Sequence, residues 1–106
     1  MKSREGGLEM AVRVVVEANA KPGTGNELVA FFRSILSETR AHDGCTSVDA
    51  LQNCDNGDNV LLAATWETRE QYEKYLAWQR ERGVSGRLKE HLAEAPTIRF
   101  FDVTGA

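Results

Sequence analysis

Cysteine and proline are scarce in this chain of 106 residues, with two of each, and only 8% of its residues are aromatic. Two cysteines cannot build the disulfide framework of a small secreted domain. Cys45 and Cys54 flank a segment, 46–53, that reads as one strand. At about 3.3 Å per residue such a strand holds its ends roughly 30 Å apart, whereas a disulfide needs Cα atoms within about 7 Å. The thiols are therefore expected to be free, as in a reducing cytoplasm, and to act as small apolar residues at strand ends. No Cys-x-x-Cys pair or clustered Cys/His spacing points to a metal site. The chain also lacks the Gly-x-Gly-x-x-Gly and Gly-x-x-x-x-Gly-Lys phosphate-binding patterns and the Gly-x-Ser-x-Gly elbow. Nothing suggests a dedicated nucleotide or flavin site.

An excess of positive charge is missing as well. Thirteen basic residues face sixteen acidic ones, a formal net charge of −3. A generic nucleic-acid or anionic-membrane partner would want a basic face. No apolar run approaches the ~20 residues that cross a bilayer. Residues 1–9 are polar and have no signal-peptide segment. Residues 1–10 are expected to be a flexible extension, with Met10 an alternative start, and 11–106 a single domain.

What is present is a clear alternation of elements. Residues 11–20, AVRVVVEANA, read as a valine-rich strand that Lys21-Pro22-Gly23 ends. Thr24 and Glu27 have capping-box spacing, and a helix should follow to about Arg40. Its apolar stripe is Leu28, Phe31, Phe32, Ile35, Leu36 and Thr39, and Gly44 lies beyond its end. Residues 46–53 form a more polar strand. Asp55-Asn56-Gly57-Asp58 predicts a hairpin turn with positive φ at Asn-Gly. The apolar strand 59–66 stops at Trp66. Thr68 and Gln71 open a second helix, which runs to about Arg82 and ends at Gly83. Val84, Leu88, Leu92 and Ala95 suggest a further short helix, and 97–103 a last strand. Strand, helix, strand, strand, helix, strand is the split βαβ, or ferredoxin-like, order of an α+β protein with an antiparallel four-stranded sheet. Right-handed crossovers put the first and third strands in the centre.

Helices should cover one face of that sheet, yet its central strands are apolar on both. Val12, Val14 and Val16 oppose Val15, and Leu62, Ala64 and Trp66 oppose Leu61 and Ala63. So much apolar surface left open predicts a homodimer formed through the sheet faces.

The groups able to do chemistry are few. Trp66 at the strand exit, with Tyr72 and Tyr75 on the next helix, could line a pocket between sheet and helix. Buried, each tyrosine would need a partner for its hydroxyl. Arg87 and His91 stand one helical turn apart beside an apolar stripe. There Arg87 could stabilise an anion and His91 take a proton near neutral pH. Asn19 could bind a ligand or stabilise the turn before Pro22. His42, near the end of the first helix, reads as a partner of the helix dipole.

With Lys21-Pro22-Gly23, Asp43-Gly44-Cys45, a strand ending in Trp66-Glu67 and Tyr72 six residues past the tryptophan, the chain resembles the antibiotic biosynthesis monooxygenase family over about residues 11–103. The resemblance implies a ferredoxin-like chain that pairs into a dimeric α+β barrel. Its polyketide-oxidising branch converts anthrones or quinols to quinones with O2 and without metal, haem or flavin. That branch's tryptophan, tyrosine and arginine fall on Trp66, Tyr72 and Arg87. Its strand asparagine falls on Leu62, a departure. The haem-degrading branch would place its tryptophan on Tyr75 and its histidine near Ser85, which disfavours haem. The expected protein is thus a cytoplasmic, cofactor-independent oxygenase of a phenol, anthrone or quinol. Tyr72, Arg87 and His91 would be catalytic, and Trp66, Tyr75, Leu62 and Asn19 would line the substrate site. An isomerase, cyclase or decarboxylase of a small carbonyl compound, or a non-catalytic ligand-binding dimer, are the alternatives.

Overall fold

Valine at alternate positions drives strand β1, Val12–Asn19, whose even-numbered side chains from Val12 to Ala18 are buried while Arg13 faces water. The computed structural model describes residues 11–106; the expected extension over 1–10 and the start at Met10 lie outside the described residues. Helix α1, Gly25–Ala41, buries Leu28, Phe32, Ile35, Leu36 and Thr39 along one stripe, with Phe31 at its edge. Its start differs from expectation. Thr24 occupies the cap position, but its hydroxyl donates to Lys21 O at 2.8 Å and makes no bond to the first turn. The carboxylate of Asp58 caps instead, accepting from the Gly23 and Gly25 N–H groups at 2.9 Å each. The approach is so close that a Cβ at Gly25 would collide with the Gly57 carbonyl. Glycine there is what lets the helix start dock on the hairpin loop.

That loop joins β2, Cys45–Gln52, to β3, Asn59–Trp66. The hairpin forms as expected, but neither Asn56 nor Gly57 has positive φ. The connection is wider than a two-residue turn. Asn53 Oδ1 accepts from the Asp55 and Asn56 N–H groups at 2.8 and 3.2 Å, and Asn56 Oδ1 from Asp58 N–H at 3.1 Å. Side-chain amides thus hold the turn in place of left-handed backbone.

Helix α2, Arg69–Glu81, is capped as its sequence indicates, Thr68 Oγ1 accepting from Gln71 N–H at 3.1 Å. Gly83, with φ +80°, breaks the chain between α2 and α3, Val84–His91. The expected continuation of α3 to Ala95 does not occur. Leu92 turns extended and bridges Ala20, while Ala93 N–H donates to Asn19 O at 2.9 Å. Strand-like bonds to the end of β1 outcompete another helical turn. Strand β4, Thr97–Asp102, completes the sheet.

The strand order is β2-β3-β1-β4, with every pair antiparallel and β1 and β3 central. This is the ferredoxin-like α+β arrangement. Trp66, Phe32, Leu28, Val14 and Val60 are its most deeply buried large side chains. On the opposite face Val15, Leu61 and Ala63 are half-buried, and Leu51 and Phe101 are 50% and 48% exposed in the single chain. Cys45 and Cys54 are both free. No helix among the described residues is long and apolar enough to cross a membrane.

Candidate functional site

Strand register explains where space is left. Ala64 of β3 lies opposite Val14 of β1 on one side and Val48 of β2 on the other. The smallest side chain thus occupies the middle of a three-strand row. Above it α1 contributes Ile35 and Leu36, and Trp66, Tyr72 and Tyr75 supply the aromatic wall. The result is a cavity of about 50 Å³. At about 24 cal/mol per Å³, the unfilled space costs on the order of 1 kcal/mol.

Trp66, the last residue of β3, is fully buried. Its ring centroid lies 5.5 Å from Tyr72 at 75° and 5.1 Å from Tyr75. The two tyrosines share a helix face but not a role. Tyr75 OH lies 2.6 Å from Thr39 Oγ1 and accepts from Gln79 Nε2 at 2.8 Å. Tyr72 OH has no hydrogen-bond partner among the described residues. Burial, with a smaller contribution from Tyr75, pushes its pKa up to about 12. At neutral pH it is a hydrogen-bond donor and not a base. Trp66 Nε1 is buried without an acceptor among the described residues. A buried donor left unsatisfied costs roughly 1–3 kcal/mol, which an oxygen atom of a ligand would relieve.

Four of the seven residues expected at the site line this one cavity: Trp66, Tyr72, Tyr75 and Leu62. Leu62 is the one lining residue that is not fully buried. Arg87 is exposed on α3 and lies outside the lining. His91 packs on Phe31, with ring centroids 4.9 Å apart, also outside the lining. Asn19 ties the end of β1 to its neighbours: Nδ2 donates to Glu94 at 3.1 Å, and Oδ1 accepts from Asn59 at 2.9 Å. The cavity lining therefore contains no carboxylate, histidine, lysine or arginine. Among the described residues no three His, Cys, Asp or Glu side chains gather as a metal site.

One aromatic neighbour was not legible as such. His42 is the C-cap of α1, as its position suggests, but its ring also sits 6.1 Å from Trp66 and 5.1 Å from both Tyr75 and Trp78. Its Nδ1 is buried without a partner among the described residues. Those contacts span 24 to 36 positions, so no local spacing signals them. Gln79, by contrast, stands four after Tyr75, a helical pairing the sequence does display.

The family model of antibiotic biosynthesis monooxygenases matches residues 11–80. Rv0793 of Mycobacterium tuberculosis, named provisionally as a monooxygenase, is 31% identical over 72 residues, 68% of this chain. The match spans 64% of that relative's length. Two solved structures share the fold at lower identity. A monooxygenase from the gene ActVA-Orf6 of Streptomyces coelicolor, in complex with nanaomycin D, has a TM-score of 0.77 and 23% identity. The alignment covers 92% of this chain and 91% of that one. SnoaB of Streptomyces nogalater, described as a cofactor-independent oxygenase, has a TM-score of 0.77 and 15% identity, with 90% and 94% covered.

Proposed function

Because the chain belongs to the antibiotic biosynthesis monooxygenase family, we propose that it is a cofactor-independent oxygenase that joins O2 to an electron-rich phenol, anthrone or quinol at the cavity beside Trp66. The observation that carries this reading is the pairing of two donors without partners among the described residues, Trp66 Nε1–H and Tyr72 O–H, with a largely apolar lining that holds no carboxylate, histidine, lysine or arginine. An isomerase that moves a proton at carbon needs a proton acceptor there. A substrate that ionises by itself does not. It needs to be positioned, kept from bulk water and met by donors where charge develops.

For an anthrone the balance is complete without a reductant. The reacting CH2 loses a proton to solvent, and the carbanion gives an electron to O2. A C–O bond forms, and the resulting hydroperoxide loses water as the carbonyl appears. One oxygen atom ends in the quinone and the other in water. Trp66 forms the wall, and Tyr72 donates to an oxygen at the reacting centre.

We further propose that two chains pair through their open sheet faces, which the exposed Leu51 paired with Leu61 at one edge of the sheet and the exposed Phe101 on the opposite edge strand support, and that free cysteines fit a cytoplasmic setting. The test is oxidation of dithranol by metal-stripped protein with and without air. Quinone should form faster than in buffer, only aerobically. A rate equal to buffer, or conversion that continues without O2, would refute the reading.

A further inference from the structure

The hairpin loop between β2 and β3 holds the chain's single Asn-Gly pair, Asn56-Gly57. Both residues are exposed, and neither has positive φ. A Cβ at Gly57 would meet only the end of the Gln52 side chain, at 3.3 Å. Glycine is thus demanded at 57 neither by backbone conformation nor by space. Its effect is to leave the Gly57 amide nitrogen unshielded beside a side-chain amide. We propose that Asn56 is a self-modification site, at which the loop converts its own amide to a carboxylate and so loosens the docking of α1. Neither the cleft beside Trp66 nor O2 takes part.

The groups that react are free, and one neighbour assists them. Gly57 N–H, the nucleophile, makes no hydrogen bond among the described residues, and neither does Asn56 Nδ2, the leaving group. Asp58 N–H donates to Asn56 Oδ1 at 3.1 Å, where negative charge develops as the carbonyl becomes tetrahedral. The Gly57 nitrogen gives its proton to solvent and attacks Asn56 Cγ. A C–N bond forms, the Cγ–Nδ2 bond breaks, and Nδ2 takes a proton from water and leaves as ammonia. Water then opens the cyclic imide at either carbonyl. One opening gives aspartate. The other gives isoaspartate, whose main chain runs through the former side chain and is one methylene longer. Nothing is oxidised or reduced.

The consequence falls on the start of α1. Gly57 O lies where a Cβ of residue 25 would stand, and it accepts from Gln52 Nε2 at 2.9 Å. The next residue, Asp58, is the acceptor for the Gly23 and Gly25 N–H groups. A longer main chain just ahead of Gly57 displaces both contacts. A new carboxylate between Asp55 and Asp58 adds like charge beside the cap.

The experiment ages the intact protein at mildly alkaline pH. Peptide mapping by mass spectrometry follows each asparagine, and a protein isoaspartate methyltransferase counts isoaspartate. Asn56 should convert several-fold faster than Asn26 and Asn53, which are also exposed but precede Glu27 and Cys54. Gly57→Ala should slow the conversion several-fold and leave the melting temperature of fresh protein unchanged. Aged protein should melt lower than fresh, and amide hydrogens in the first turn of α1 should exchange several-fold faster. Asn56→Gln, aged alike, should show neither change. Conversion at Asn56 no faster than at Asn26 and Asn53, or undiminished in Gly57→Ala, would overturn the site. Full conversion with first-turn exchange unmoved would overturn its link to α1.

Discussion

The hydroxyl of Tyr75 lies 2.6 Å from Thr39 Oγ1, a buried bond that ties α2 to α1 behind the cavity. Gln79 donates to the same phenol oxygen at 2.8 Å. Tyr75→Phe would leave two buried polar side chains short of a partner, and it is expected to lower stability by about 1–3 kcal/mol. Urea unfolding measures this. Adding Thr39→Val should recover part of the loss, since the two residues share one bond; strictly additive losses would count against the coupling.

Asp58 and Thr24 give opposite expectations for the start of α1. Asp58→Ala removes the acceptor for Gly23 and Gly25 N–H, and should cost about 1 kcal/mol as a lost cap. Thr24→Ala leaves those bonds intact and should fall within ~0.5 kcal/mol of the parent. A larger loss at Thr24 than at Asp58 would reverse the capping assignment.

Burial of Tyr72 makes stability fall at alkaline pH. Its ordinary pKa of 10 applies to the unfolded chain, while the folded value is about 12. Between the two, the folded state keeps a proton that the unfolded state has released. The contribution is therefore fully present below pH 10 and is lost as pH rises toward 12, at about 1.4 kcal/mol per pH unit. Tyr72→Phe should flatten this part of the profile. Identical slopes for the two proteins between pH 10 and 12 would contradict it.

With no carboxylate, histidine, lysine or arginine in the cavity lining and Tyr72 pushed up to about 12, the pH dependence of turnover below that range should belong to the substrate. The rate of dithranol oxidation is expected to rise with pH to a midpoint set by the acidity of the compound. A more acidic anthrone should move the midpoint downward by the same difference. A midpoint that stays fixed across substrates would point to a titrating group of the protein.

Filling the cavity should stabilise the fold. Ala64→Val recovers at most the cost of the empty space, on the order of 1 kcal/mol, and a β-branched residue suits a central strand. The melting temperature should rise. A fall would show that the space over Ala64 is too narrow for two more carbons.

Much of this protein is written locally. Period-two valines set β1, the three-and-four spacing from Leu28 to Thr39 set α1, and Thr68 with Gln71 marked the start of α2 correctly. These signals are legible because each depends on neighbours within a turn or a strand. The same spacing that suggested a capping box at Thr24 was misleading, because a carboxylate 33 positions from Gly25 reached its N–H first. Likewise the stripe from Val84 to Ala95 suggested a longer helix, until pairing with β1 claimed Leu92.

The aromatic wall was also visible in order, Trp66 and then Tyr72 and Tyr75. The pocket they border was not. It exists because register sets a single alanine between two valines from strands distant in sequence, beneath Ile35 and Leu36 of α1. Residue order alone determined the elements, their sequence along the chain and the sheet's two apolar faces, since short-range geometry governs all three. Which side chains share a cavity, that Arg87 and His91 stay out of it, and that one tyrosine is bonded while its neighbour is free were decided by packing between elements, where distances depend on the whole fold.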